Sequence, residues 1–199
     1  GKALRSLEKV RALYPVSLHG VGLSLGGSER PDPAHLRRFR ALVEHIEPVK
    51  VSEHLAWSSL GGVYFNDLLP LPYTREALDS VARNVAIVQD ALRRPLLIEN
   101  PSRYLAYDDS IIPEAEFLGM LARRTGCRLL CDVNNVQVTS ANAGDNPFDW
   151  LDALPAQAVD EIHLAGHSAN RGEGRTILID DHASPVSETV WTLYAHAVG

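Results

Sequence analysis

Residues 95–100 read PLLIEN and residues 128–135 read RLLCDVNN. Each is a short apolar run that stops abruptly on carboxylate and amide side chains. Uninterrupted apolar runs of this length suit strands covered on both faces, as in a parallel sheet flanked by helices. Working outward, Pro15–Val21, Val49–His54, Glu161–Leu164 and Thr176–Ile179 have the same character, so with Pro95–Glu99 and Arg128–Val133 the chain offers six candidate strands.

Between most of them lie stretches with a helical period. Pro33–Glu47 carries Leu36, Phe39, Leu42, Val43 and Ile46 on one face. Thr74–Arg94 opens with Thr74 as a cap and aligns Leu78, Val81, Val85, Val88 and Leu92. Pro113–Thr125 starts at a proline and stops at Gly126, Asp149–Leu154 gives a short helical turn, and Pro185–Val198 is another full helix. The opening GKALRSLEKVRALYP is amphipathic as well. Alternating β and α elements predict a parallel α/β fold. A dinucleotide-type sheet is disfavoured, because Leu23 and Leu25 interrupt the phosphate-loop spacing in the glycine-rich stretch after His19, and no helix opens directly from it. The expectation is a TIM (β/α) barrel formed as a single domain over residues 1–199. Such a barrel closes with eight strands. Six candidates, with helices at both ends of the chain, lead us to expect an incomplete barrel, a fragment lacking its first and last strands.

Composition narrows the partners. Hydrophobic residues make up 45% and charged residues 22%, as in an ordinary globular domain. A formal net charge of −6 disfavours nucleic acid as a partner. No apolar run approaches the roughly 20 residues needed to span a bilayer, and the N-terminus lacks the apolar region of a secretory signal. Cys127 and Cys131 bracket one predicted strand and cannot meet in a disulfide, which suits a reducing cytoplasm.

The polar residues recur at one place in successive segments. VSLHG ends in His19, VSEHL carries Glu53 and His54, and LLIEN ends in Glu99 and Asn100. LLCDVNN ends in Asp132, Asn134 and Asn135, EIHLAGH carries His163 and His167, and ILIDDH ends in Asp180, Asp181 and His182. A single histidine at a strand end is more often a hydrogen-bonded structural residue than a ligand, and a single acidic residue often caps the following helix. Recurrence over six segments argues otherwise, since a parallel barrel brings all its strand C-termini to one face. Clustered carboxylates repel unless a cation neutralises them, and a metal ion would do so. Imidazole with carboxylate suits iron, manganese or zinc. His19, His54, Glu99, Asp132, Asn135, His163, His167, Asp180 and His182 are too many for one ion, so two or three bridged ions are expected. His35, His45 and His196 fall within helices and read as surface or packing residues.

Taken together, SLHGVGLSLGG, VSEHLAWSS, NDLLPLPYT, IENPSRYL, CDVNNVQV, EIHLAGH and LIDDH, followed by VWTLY, resemble the multinuclear non-haem iron-dependent oxidative enzymes. That family includes the oxidase of methanobactin biosynthesis and enzymes that modify cysteines in ribosomally made peptides. The likeness runs from about Ser17 to Tyr194. It implies a TIM barrel holding two or three iron ions, with a mixed-valent centre that activates O₂. His19, His54 and Glu99 match ligands of one iron, with Glu99 as a bridge, and Asp132 matches a ligand of its neighbour. Asn135, His167, Asp180 and His182 match the remaining positions, and His163 lies within the motif. The implied substrate is a cysteine-containing precursor peptide, often delivered by a partner protein with a peptide-recognition domain. The family's early strand and a late strand with a further ligand glutamate fall outside residues 1–199. Asn142-Ala143-Gly144 stands where the family often has Asn-His-Gly, and Gln137 where it has Tyr.

Two other functions use the same residue types. A zinc- or manganese-dependent TIM-barrel hydrolase or sugar isomerase would share the ligand palette, although a phosphodiester substrate would call for more basic residues than Arg103, the one basic side chain in the strand-end motifs. A non-catalytic metal-binding protein would have a coordinatively saturated site.

Overall fold

A computed structural model of the chain describes residues 1–172 and 174–199. In chain order, helix α1 (Lys2–Arg11) precedes strand β1 (Ser17–Gly20), helix α2 (Pro33–Ile46) and strand β2 (Lys50–His54). A ribbon of β3 (Trp57–Leu60) and β4 (Val63–Leu69) follows, then α3 (Arg75–Leu92), β5 (Leu97–Glu99), α4 (Glu114–Thr125) and β6 (Arg128–Asp132). The remainder comprises α5 (Val133–Ala143), α6 (Pro147–Ala153), β7 (Val159–His163), a second ribbon of β8 (His167–Gly172) and β9 (Arg175–Asp180), and α7 (Glu188–Val198).

Local chemistry sets the helix ends, at Thr74 and Gly126 as the sequence predicts and at Asp32 in addition. The Asp32 carboxylate accepts hydrogen bonds from the Ala34 and His35 amides with Pro33 in the first turn, and the Thr74 hydroxyl accepts from the Ala77 amide. Gly126 ends α4 at φ 70°, a conformation that costs glycine little.

Five strands form one parallel sheet in the order β1-β2-β5-β6-β7. Its strands alternate between two faces, as a period of two requires. Val51, Ile98, Leu129 and Cys131 point to the helices and join the apolar core with Val81, Val85, Phe117 and Leu121. The opposite face curls around a polar interior. The curl brings β1 and β7, which lie at the two edges of the sheet, within reach of each other: the Ser17 hydroxyl donates to the Glu161 carboxylate at 3.1 Å. This is the α/β architecture of an incomplete TIM barrel.

Two expectations need correction. Thr176–Ile179 is not a sixth parallel strand; it pairs antiparallel with β8, with His167 opposite Asp180. The residues between it and β7 are largely taken up by β8, which leaves no room for a helical crossover, and the glycines Gly172 and Gly174 suit a hairpin instead. The strand predicted through Val133 ends at Asp132, where the chain turns at once into α5. That helix and the β3–β4 ribbon were not expected from the sequence. Among the described residues, no helix is long and apolar enough to cross a membrane.

A carboxylate-bridged histidine cluster at the mouth of the barrel

The sheet register puts the interior side chains into layers. His19 pairs with Ser52, His54 with Glu99, and Asp132 with His163, so the last interior positions of successive strands carry the polar residues. Glu99 is buried at their centre. One of its carboxylate oxygens, Oε2, lies 3.0 Å from His19 Nε2 and 3.4 Å from His54 Nε2. The other, Oε1, faces His163 Nδ1 at 3.6 Å.

The far ring nitrogens fix what the near ones can do. His19 Nδ1 lies 2.7 Å from the Ser52 hydroxyl, which points its own proton toward the Leu18 carbonyl at 3.5 Å. His54 Nδ1 donates to the Gly20 carbonyl at 3.2 Å. Both rings thereby turn their Nε2 atoms inward, 3.2 Å apart. Two imidazole nitrogens and a carboxylate oxygen converge there, and Glu99 Oε2 is buried without a hydrogen-bond partner. Ligands bound at about 2.0–2.2 Å from a common ion stand about 3 Å from one another, so these residues fit a metal. Hydrogen-bonded outer nitrogens of this kind orient histidine ligands at metal sites.

A second group shares Glu99. Glu99, Asp132 and His163 bring ligand atoms within 4.8 Å of one another, as do His19, His54 and Glu99. Asp132 caps α5 by accepting from the Asn135 amide at 2.8 Å through Oδ1, which leaves Oδ2 buried and unpartnered. Burial, with the nearby Glu99 and Asp180 charges, raises the Asp132 carboxyl to about 7 against its one helix-capping bond. Burial also opposes ionisation of Glu99, but His163 and His19 outweigh it and hold Glu99 down at about 2. In this tightly coupled pair Glu99 carries the charge and Asp132 resists it; a divalent cation would let both ionise.

The remaining predicted residues lie around these two groups. Asn135 donates from Nδ2 to the Asn100 carbonyl at 3.0 Å, and its Oδ1 is buried without a partner. His167 Nδ1 lies 2.7 Å from Asn134 Oδ1, and Asp180 lies 2.9 Å from His182 Nδ1. Asn135, Asp180 and His182 line the same cleft as Glu99, while His167 belongs to neither of the two tight groups. Outside the site, His45 pairs with Glu8 and His196 with Asp152, the surface roles expected of them.

Sequence reasoning named some supporting residues without seeing their function. Glu53 points away from the cleft and accepts from the Leu23 and His54 amides at 3.0 Å, tying the loop after β1 to β2. The Asn100 side chain exchanges two hydrogen bonds with the Asp132 backbone, at 2.9 and 3.0 Å. Period-two alternation next to His54 was the available signal for Glu53. The segments IENPSRYL and NDLLPLPYT contain Tyr104, whose hydroxyl accepts from the Asp180 amide at 3.1 Å, and the ribbon residue Leu68 without marking their role, and no signal marked the ribbon residues Tyr64 and Phe65. These last four join the histidines and carboxylates in walling a cleft of about 940 Å³.

A curled parallel sheet with this cluster at its C-terminal mouth defines a (β/α)-barrel enzyme scaffold with a candidate multinuclear metal centre. Over residues 1–199 the chain matches the family described as RiPP precursor modification enzyme MbnB/TglH/ChrH, and it belongs to that family. It is 56% identical over 198 residues to a UPF0276 protein of Caulobacter vibrioides, covering all of this chain and 70% of that one. It is 51% identical over 199 residues to a UPF0276 protein of Paraburkholderia phytofirmans, again covering the whole chain but 65% of the relative. The chain thus spans about two thirds of the length of these relatives. Among solved structures, it is similar to a 3-keto-D-glucoside 4-epimerase from E. coli, with a TM-score of 0.52 and 15% identity over 82% of this chain and 65% of that one. A D-psicose 3-epimerase gives a TM-score of 0.52 with 13% identity over 81% of this chain and 58% of that one. At these identities the likeness is one of fold alone.

Proposed function

We propose that this protein is an iron-dependent oxidase or oxygenase that uses O₂ to modify cysteine residues of a ribosomally synthesised precursor peptide. The observation that carries the proposal is the Glu99 carboxylate, which turns one oxygen to His19 and His54 and the other to His163, in an open cleft and in a chain of the precursor-modifying family. His19, His54 and Glu99 would hold one ion, and Glu99, Asp132 and His163 a second. Asn135, His167, Asp180 and His182 would complete the set for a third. Imidazole with carboxylate suits iron, as in non-haem oxygenases. Iron bound there would supply one-electron chemistry with O₂ and an open position for a thiolate.

The protein's own groups supply the setting. Ser52 and the Gly20 carbonyl hold the outer nitrogens of His19 and His54, so that Nε2 faces inward. Asn100 and the α5 backbone hold Asp132 and Asn135. Tyr64, Phe65, Leu68 and Tyr104 offer an apolar and aromatic wall against which a peptide can bury side chains and exclude water. Two buried free thiols, Cys127 and Cys131, accord with a cytoplasmic location, where the precursor and a partner protein with a peptide-recognition domain would be met.

The test is elemental analysis with Mössbauer spectroscopy of anaerobically purified full-length protein, followed by O₂ uptake with a cysteine-containing precursor encoded beside its gene. Two or three iron ions per chain, and uptake that depends on the peptide's cysteine, are expected. Tight zinc binding in place of iron, with no O₂ consumption, would overturn the proposal in favour of hydrolysis, isomerisation or a structural metal.

A further inference from the structure

The antiparallel ribbon β8–β9 brings Asp180 to the cleft from outside the parallel sheet and sets His167 opposite it. Helix α5 holds it at two points. At the far end of the helix, the Asn142 side chain donates to the Leu178 carbonyl at 3.0 Å and accepts from the Leu178 amide at 2.9 Å. At the near end is Asn134, completely buried in the first turn. Its Nδ2 donates to Asp180 Oδ1 at 2.9 Å, and its Oδ1 lies 2.7 Å from His167 Nδ1.

Chemistry settles which way this amide points. Only the NH₂ group can face a carboxylate, so Oδ1 must face the imidazole. An amide oxygen can only accept, so His167 Nδ1 must carry the proton. His167 Nε2 then has a free lone pair. One side chain thus fixes the tautomer of a histidine and the rotamer of an aspartate on two strands of the ribbon.

We propose that Asn134 is a positioning residue: it locks His167 in the Nδ1–H tautomer and tethers Asp180, so that the ribbon can deliver both to the metal centre. The proposal rests on the reading of His167 and Asp180 as ligands. It assigns neighbouring asparagines opposite duties, since Asn135 turns an unpartnered oxygen toward the cleft while Asn134 spends both ends of its amide on other side chains. Outer-shell partners of this kind change metal affinity by about 10–100-fold when removed.

The test uses Asn134→Ala and Asn134→Asp in the full-length protein, with two readouts. The first is the His167 tautomer by ¹⁵N NMR of the metal-free protein at a pH where the ring is neutral. The second is iron stoichiometry and affinity by titration with Fe(II) under anaerobic conditions. Wild type should give the Nδ1–H signature. Asn134→Ala should shift His167 toward Nε2–H and weaken binding of the ion that His167 and Asp180 would hold by about 10–100-fold. Asn134→Asp keeps an acceptor for His167 but cannot donate to Asp180, so it should restore the Nδ1–H signature without restoring iron affinity. If Asn134→Ala does not fold, Asn134→Asp alone decides, and iron affinity equal to wild type overturns the proposal. An unchanged tautomer in Asn134→Ala overturns it as well. His167→Ala and Asp180→Asn separate this failure from that of the underlying reading: if both keep full iron content, the two residues are not ligands, whatever Asn134 does.

Discussion

His19 and His54 present their Nε2 atoms to each other at 3.2 Å, although 35 residues separate them in the chain. Ser52 and the Gly20 carbonyl hold their outer nitrogens. Glu99 Oε2 completes the triangle. A cation at its centre would take all three atoms as ligands.

Glu99→Gln tests this directly. The amide has nearly the same volume, so the sheet should persist, but one end of the bridge becomes a donor facing lone pairs. The expected outcome is loss of at least one iron per chain with an unchanged far-ultraviolet circular dichroism spectrum. Wild-type iron content in the variant would show that Glu99 does not bridge.

Gly166 offers a steric test. A Cβ built there would collide with the Ser184 carbonyl oxygen, in the loop that follows His182. Gly166→Ala should push that loop from the cleft at a cost of about 1–3 kcal/mol, as overpacking usually does. The parallel sheet and the His19–His54–Glu99 group lie elsewhere. Urea denaturation should therefore show the loss in stability, while Fe(II) titration keeps the sites nearest Glu99.

Beneath the loop that carries Tyr104, Glu114 accepts from Tyr73 at 2.5 Å, from Trp150 at 3.1 Å and from Arg103 at 3.3 Å. Glu114 is buried and Arg103 nearly so. Removing one partner of such a pair strands the other, so Glu114→Ala should cost about 3–5 kcal/mol. A loss below about 1 kcal/mol in chemical denaturation would mean that water reaches Arg103 in the folded protein.

Cys127 and Cys131 face the helix side of β6, away from the cleft. Burial raises the Cys127 thiol to about 11 and the Cys131 thiol to about 12. Thiolate, not thiol, is the nucleophile, so neither should react with iodoacetamide in the native protein at pH 8, and both should react after denaturation. Rapid native labelling would place at least one on an opening segment, and would also complicate thiol assays on peptide substrates.

The parallel strands were legible because apolar runs ending in polar residues have few other uses. His19, His54, Glu99, Asp132 and His163 share an interior because each ends such a run. The ribbons were not legible in the same way. Thr176–Ile179 is apolar enough to pass for a buried strand, and only its partner, the polar stretch from His167 to Gly172, reveals the hairpin. Helix α5 was hidden because Asp132 both ends β6 and caps α5, leaving no loop to announce a boundary. Asn134 and Asn135 look alike in sequence. Their opposite orientations follow from helical geometry, which turns adjacent residues by about 100°.

The pH dependence follows from Asp132. Its carboxyl is raised to about 7 in the folded, metal-free protein, chiefly by burial, against 3.8 for an ordinary aspartate. Between those values the unfolded chain has released this proton and the folded chain has kept it. The folded state then binds more protons, so the Asp132 contribution to stability falls as pH rises from about 4 to about 7. Glu99, held near 2, acts in the opposite sense but only at the acid end, below its ordinary value of 4.5. Metal binding reverses the balance, because a ligand carboxylate must be ionised and the proton is a competitor. Over pH 5 to 7, therefore, the Tm of the metal-free protein should gain nothing from Asp132 ionisation, while the rise in Tm on adding Fe(II) anaerobically should grow with pH. Asp132→Asn removes one titrating group and should reduce that growth, leaving the part that comes from His54 and His163, which must also lose protons to bind metal. A metal-induced shift in the wild type that is independent of pH across this window would show that Asp132 is not deprotonated on binding and is not a ligand.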